Sequence, residues 1–315
     1  MNIALIGFGR IGKKYLETSL KTKSIVINKI LKKKKIKPKI PSVQFFRNFG
    51  LLNKSKNIAA YIIATPVESH YEYANKIINK KKPFILEKPI VANHGQLKKL
   101  YELCKNYKHS IFINHLDLHN PAFSAFLKNL KSIGAYKKIE ITYGKYQKTK
   151  RSSILDKKKE FFLPSFDWLS HPISLAIKLA GLPIKISIIK NKIFFKNKYV
   201  FQKSKILLKC KKKDVYINFS NEYFVPKRRV KIKGSKAILV YDGYKKNKLI
   251  KSTNKKIFKS VFFKKITPME NLLQKFYYSI KNKSNVNQIN FGYKVMKILL
   301  EIEYKMKKKL LLSSE

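Results

Sequence analysis

NIALIGFGRIG, residues 2–12, sets an unbroken apolar run directly against three glycines spaced Gly7-x-Gly9-x-x-Gly12. An apolar run without alternation reads as a buried parallel strand, covered on both faces. The glycines then have separate physical uses. Gly7 permits a tight turn, Gly9 lets backbone amides approach a pyrophosphate, and Gly12 lets a helix pack close to the strand. A helix starting there would aim its amides and its positive end at the phosphates. Gly7, Phe8, Gly9, Arg10, Ile11 and Gly12 are therefore the candidate dinucleotide cradle, on the condition that strand precedes and helix follows.

Working outward, that condition is met by pattern. A helical repeat covers 11–22 (Ile11, Tyr15, Leu16, Leu20), and further strand patterns fall at 24–31, 43–46, 57–65, 83–88 and 110–115. Helical segments at 67–80 and 94–107 separate the later ones. Regular strand–helix alternation predicts a parallel α/β domain. After Asn120-Pro121 the pattern changes to a helix at 121–131, a strand at 137–147 and a helix at 166–180. Strands then follow near 184–195, 198–210, 213–224, 228–233 and 236–241, before two closing helices at 268–281 and 290–308. Successive strands with short connections imply an antiparallel sheet. The expectation is an α/β chain: an N-terminal Rossmann domain over 1–118, then an α+β domain with an open, mainly antiparallel sheet over 119–315.

The formal net charge of +54 would by itself suggest a nucleic-acid or anionic-membrane partner. Yet only five of the 71 basic residues are arginine (Arg10, Arg47, Arg151, Arg228, Arg229). Nucleic-acid readers favour the planar, bidentate fork of arginine. Here lysine accompanies abundant Ile, Asn, Phe and Tyr along the whole chain, as A/T-rich codons would produce. No specific nucleic-acid partner is expected, although the charge predicts salt-sensitive, nonspecific sticking. No apolar run reaches transmembrane length, and a strand pattern beginning at Asn2 leaves no room for a signal peptide. Cys104 and Cys210 lack metal-type spacing and read as reduced structural residues. A cytoplasmic location is the expectation.

About twenty residues past the glycines an acidic residue would mark recognition of an unphosphorylated ribose. The window 28–37 reads NKILKKKKIK and contains none. Lys32–Lys35 could pair with a 2′-phosphate, which tilts the choice between NAD and NADP slightly towards NADP.

Five further stretches carry a resemblance. ATPVESH at 64–70, FILEKPI at 84–90, HNPAF at 119–123, DWLSHPISLAIKLAG at 167–181 and VKIKGSKAILVYDG at 230–243 occur in the order seen in the Gfo/Idh/MocA oxidoreductases. The chain resembles that family from residue 2 to about 243. The resemblance implies that Thr65, Pro66 and His70 line the cofactor, and that Glu87 and Lys88 sit at the junction of cofactor and substrate. It makes Lys88 the group that hydrogen-bonds the reacting oxygen. Pro89 locks φ and removes a donor, fixing that corner. Asp167 and His171, four apart, share one helix face where the family places an acid/base pair, and histidine is the natural proton carrier near neutral pH. Asp167 also suits an N-cap. The match departs from the family at Pro164 and Ser165, where glycines are common, and at Ser174, where an acid is common.

His115, Asp117 and His119 alternate at strand spacing, but with no second ligand group nearby they read as the entry to the second domain, and no metal is expected. A histidine at 115 resembles members that oxidise nucleotide-linked sugars. The functional expectation is therefore an NAD(P)-dependent oxidoreductase acting on a secondary alcohol or ketone of a sugar, nucleotide sugar or cyclitol. Lys88 and His171 would handle the proton and Asp167 would orient His171. The alternative is a non-catalytic cofactor- or ligand-sensing regulator of the same fold. A homo-oligomer, dimer or tetramer, is expected through the open sheet face.

Overall fold

The structure is a computed structural model that describes residues 1–22, 24–33, 40–150, 162–245, 249–253, 257–260 and 266–311. By contacts the chain falls into two compact units, Met1–Leu116 with Thr267–Met296, and Asp117–Ile266 with Lys297–Glu315.

The first unit contains β1 (Asn2–Ile6), α1 (Arg10–Lys21), β2 (Val26–Leu31), β3 (Gln44–Phe46), α2 (Phe49–Lys54), β4 (Ala60–Ile63), α3 (His70–Ile78), β5 (Phe84–Leu86), α4 (His94–Cys104) and β6 (Ile111–Ile113). Its described strands pair in parallel in the order β3-β2-β1-β4-β5-β6. That order reverses between β1 and β4, so a crevice opens outside their carboxyl ends. β4, β5 and β6 are buried at every residue, which explains why their sequences run apolar without alternation. α2 is not legible in the sequence; its six residues are too few to show a helical period, and only the Asn48 side chain, accepting from Leu51 N, marks its start.

The second part of this unit comes from far along the chain. α7 (Pro268–Lys281) begins with a reciprocal cap, in which Thr267 Oγ1 accepts from Glu270 N and Glu270 Oε2 accepts from Thr267 N. Its Met269, Leu272, Leu273 and Phe276 join the core formed by Tyr15, Leu16, Ile27, Ile62 and Phe112. Fully burying each such side chain contributes about 2 kcal/mol, so the segment packs where its apolar face is covered. Residues 286–288 then run beside β6: Ile111 N donates to Val286 O, and Gln288 N to Ile111 O. The continuous division expected between 118 and 119 thus differs from the contact division in the return of 267–296. Burial of an amphipathic helix face, invisible to a boundary drawn along the sequence, is the reason.

The second unit holds α5 (Pro121–Lys128), β7 (Lys138–Gly144), β8 (Thr149–Lys150), α6 (Phe166–Ala180), β9 (Pro183–Lys196), β10 (Tyr199–Cys210), β11 (Asp214–Ser220), β12 (Lys227–Lys233), β13 (Ile238–Asp242), β14 (Leu249–Ser252) and β15 (Ile257–Ser260). Helix α8 (Ile289–Leu311) begins in the first unit and ends in this one. The sheet order is β15-β14-β13-β12-β7-β11-β10-β8, with β9 also on β10. Its pairs are antiparallel except β7 with β11. β7, β10 and β11 alternate buried and partly exposed residues, the signature of a sheet covered on one face. α6 covers β7 and β11, and α5 covers β13 and β14. Strands β14 and β15 escape a reading of the sequence because four residues are too few to show an apolar period. Arg151 and the lysines at 34 and 35 lie outside the described residues.

Candidate active site

At the carboxyl edge of the parallel sheet, hydrogen bonds continue the strand ladder by one step. Gly7 N donates to Leu31 O, Ala64 N to Ile6 O, Glu87 N to Ile63 O and Asn114 N to Leu86 O. This places the glycine turn, the Thr65 loop and the Glu87-Lys88-Pro89 corner along one edge.

Gly7 has φ +98°, and a Cβ there would lie 2.5 Å from Ala64 O. A Cβ on Gly12 would lie 2.3 Å from Gly7 O. Both spaces are filled by backbone. Gly9 differs: nothing lies within 4 Å of its Cβ position, and with no side chain it cannot cap α1. The first helical bond runs from Lys13 N to Gly9 O, so the amides of Arg10, Ile11 and Gly12 precede the helical ladder. The first turn contains no acid. This arrangement fits the pyrophosphate of a dinucleotide. Arg10 is exposed, Ile11 half-buried and Phe8 buried against Phe45, with ring centroids 5.6 Å apart. Lys32 Nζ stands 5.8 Å from the Phe8 ring centre.

His70 opens α3 and is buried. Its Nδ1 lies 2.7 Å from Pro89 O and its Nε2 2.9 Å from Thr65 O. Burial lowers its pKa, against the pull of the two carbonyls. The ring therefore ties the loop after β4 to the corner carrying Lys88, and Ser69 Oγ adds a bond to Thr65 Oγ1 at 2.9 Å. Pro66 is exposed and Thr65 half-buried.

Glu87 is buried, with Oε1 accepting from Tyr15 OH at 2.8 Å and from Asn114 Nδ2. Burial raises its pKa, with the donors and Lys88 opposing. Lys88 itself is half-buried and joined to Pro89 by a cis peptide. Glu87 thus braces the corner from within. Tyr15 and Asn114, its partners, are absent from the expected site, because no motif joins residues so far apart.

In the second unit, α6 carries Asp167 in its first turn, exposed, and His171 buried one turn later. An acid at a helix start interacts favourably with the dipole, while the capping position itself is Ser165. The carboxylate beside His171 Nδ1 is Asp117 Oδ2, at 3.4 Å. Asp117 is 1% exposed and also receives Tyr241 OH at 3.1 Å, with Arg228 Nε 3.7 Å away. Asn120 Nδ2 donates to Tyr241 OH at 3.0 Å, and the Tyr143 ring stacks on His171 at 6.2 Å. Burial, then the Asp117 charge, pushes Tyr143 and Tyr241 well above the usual phenol range. The entry to α6 is clamped as well: Leu163 N donates to Glu303 Oε1 at 2.8 Å and Ser165 N to Gln202 Oε1 at 2.9 Å. The Pro164-Ser165 stretch, unusual for the resembled family, is thus flanked by partners of its own.

His115 is buried edge-on to Phe291 at 5.4 Å. Among the described residues no group of three or more His, Cys, Asp or Glu could hold a metal ion. Cys104 and Cys210 are buried free thiols, and burial pushes Cys104 up to about 12. Among the described residues no helix is long and apolar enough to cross a membrane.

A parallel sheet in this order, with a glycine turn of this shape, defines a nucleotide-binding unit. Residues 1–115 match the model of the oxidoreductase family with an NAD-binding Rossmann fold, Gfo/Idh/MocA. An uncharacterized oxidoreductase of Schizosaccharomyces pombe is 29% identical over 72 residues, which cover 23% of this chain and 20% of that protein. The chain thus matches only one-fifth of that relative. Among solved structures, the UDP-N-acetylglucosamine 3-dehydrogenase of Acidithiobacillus ferrooxidans superposes with TM-score 0.75 at 16% identity, covering 96% of this chain and 97% of that one. A 3-ketoreductase of Actinomadura kijaniata, solved with TDP-benzene and NADP, gives 0.76 at 11%, with 95% of each chain covered. A dehydrogenase of Clostridium difficile gives 0.75 at 17%, covering 96% and 98%. At these identities the likeness establishes the fold.

Proposed function

We propose that the protein transfers a hydride between a nicotinamide dinucleotide and a secondary alcohol or ketone of a sugar, nucleotide sugar or cyclitol. The observation that carries this reading is the braced Glu87-Lys88-Pro89 corner on the same sheet edge as the open glycine turn. Gly7 to Gly12 would hold the pyrophosphate, with Thr65, Pro66 and His70 beside the ring end. When bound, the nicotinamide supplies the carbon that gives or takes hydride. Lys88 hydrogen-bonds the reacting oxygen and stabilises its developing negative charge. His171 accepts the hydroxyl proton during oxidation and returns it during reduction. Asp167, in the first turn of α6, would help orient His171 from the preceding turn and stabilise its protonated form.

The nucleotide-sugar class is supported by two neighbours in structure, one named a UDP-N-acetylglucosamine 3-dehydrogenase and one a 3-ketoreductase solved with a TDP-linked ligand. NADP is favoured over NAD, since the residues after β2 begin with Lys32 and Lys33 and the 28–37 window has no acid. The half-exposed outer faces of β7, β10, β11 and β12 favour a homo-oligomer in a cytoplasmic enzyme; a monomer mass by light scattering, or recovery outside the cytoplasmic fraction, would overturn these two points.

The test is a fluorescence titration with NADPH and with NADH in about 0.3 M salt, which screens polyanion attraction. Saturable binding, tighter for NADPH, followed by turnover of a sugar-nucleotide or cyclitol panel is the expected result. No binding of either dinucleotide would sink the reading. Binding without turnover across the panel would favour a ligand-sensing regulator.

A further inference from the structure

We infer that Asp117 is the positioning residue of His171: its carboxylate takes the Nδ1 side of the imidazole and leaves Nε2 as the nitrogen that exchanges the substrate proton. The catalytic meaning of this assignment rests on the oxidoreductase reading above; the geometry stands without it.

Three features converge on Asp117. Its Oδ2 lies 3.4 Å from His171 Nδ1. Its Oδ1 is held by Tyr241 OH at 3.1 Å, and Tyr241 in turn by Asn120. Arg228 stands 3.7 Å away, its guanidinium 5.8 Å from the Tyr143 ring centre and 5.2 Å from that of Tyr244. A Cβ on Gly243 would lie 2.6 Å from Arg228 Cδ, so glycine there leaves room for the arginine stem. In a chain with 66 lysines, an arginine at this point is informative. Its flat cation can be packed between rings where an ammonium cannot. A buried carboxylate requires compensation, and here arginine and tyrosine supply it. The carboxylate is therefore fixed in place whatever the state of His171.

A histidine whose Nδ1 faces a carboxylate carries its proton there, and the other nitrogen becomes the base. Asp117, beside the ring, favours the imidazolium, and the Tyr143 ring stacks on it; Arg228, on the far carboxylate oxygen of Asp117, opposes it. Asp167 lies one turn back on its own helix.

The test reads the imidazole directly, by ring-¹⁵N NMR of the full-length protein through a pH titration. The six histidines are separated by the signal lost in His171→Gln. The expected result is an Nδ1–H tautomer for neutral His171 and, in Asp117→Asn, a midpoint lower by about one pH unit, as loss of an opposite charge within about 4–6 Å produces. An Nε2–H tautomer in the wild-type protein overturns the assignment even where Asp117→Asn fails to fold. A folded Asp117→Asn with an unchanged midpoint overturns it as well. Failure of the oxidoreductase reading would show as absent dinucleotide binding, which leaves the tautomer where it is.

Discussion

Two buried carboxylates brace the two candidate corners of this protein, and they do so by opposite means. Glu87 sits among neutral donors, Tyr15 OH and Asn114 Nδ2, with burial lifting its pKa. Asp117 sits among charge: Arg228 at 3.7 Å and His171 at 3.4 Å, besides Tyr241. The first is a hydrogen-bond brace beside a half-buried lysine. The second is an ionic hub beside a buried histidine. Desolvation costs both sites dearly, but only at Asp117 is the cost offset by a buried counter-charge. A carboxylate's surroundings, rather than its burial, decide whether it acts as a strut or as an electrostatic partner.

The largest effect should separate Lys88 from its brace. Lys88→Ala removes the group proposed to stabilise the reacting oxygen and should lower kcat by about 10³-fold while leaving NADPH affinity within a small factor. Steady-state kinetics with a substrate from the panel, alongside the fluorescence titration, checks this. Equal turnover would strip the Glu87 corner of its role and leave the Asp117 region alone as a candidate site.

The next effect compares the carboxylates themselves. Asp117→Asn leaves Arg228 buried without its counter-charge, a loss of about 3 kcal/mol. Glu87→Gln keeps an oxygen acceptor for Tyr15 and Asn114, costing about 1 kcal/mol. Urea unfolding of both variants at neutral pH measures the difference. Equal losses would erase the distinction between strut and hub.

The two regions also differ in how far they can be read from sequence. Gly7 to Gly12 and Glu87 to Pro89 are contiguous runs whose spacing carries their chemistry, so the glycine turn and the lysine corner are visible at once. Asp117, Asn120, Tyr143, His171, Arg228 and Tyr241 come from separate elements and meet only in the folded unit. His171 can be named because an i, i+4 helix pair is a local signal, but that same locality nominates Asp167 as its partner. Asp117, which also lies beside it, comes from the turn before α5, fifty-four residues earlier, and only the packing of β7, β12 and β13 around it reveals the contact. Arg228 is one of five arginines, a rarity that speaks against nucleic acid and is silent on the carboxylate it faces. The return of α7 to the first sheet escapes for the same reason: its helix is legible, its apolar partner is not.

The smallest effect is the pH dependence that the Glu87 brace should impose on stability. Burial raises its pKa above the 4.5 of an exposed carboxyl, so between 4.5 and that higher value the folded protein binds more protons than the unfolded chain. Stability supplied by the protonated form is complete below 4.5 and is lost as pH rises through the folded value. Wild type should therefore lose stability relative to Glu87→Gln on going from about pH 4.5 to about pH 7.5, by about 1.4 kcal/mol for each tenfold gain in the carboxyl's proton affinity on folding. Glu303, also raised by burial, is common to both proteins and cancels in the difference. Melting temperatures of the two proteins across that range provide the check. A gap that stays constant with pH would mean that the donors around Glu87 compensate its charge as fully as Arg228 compensates Asp117, and the two carboxylates would then be one kind of brace.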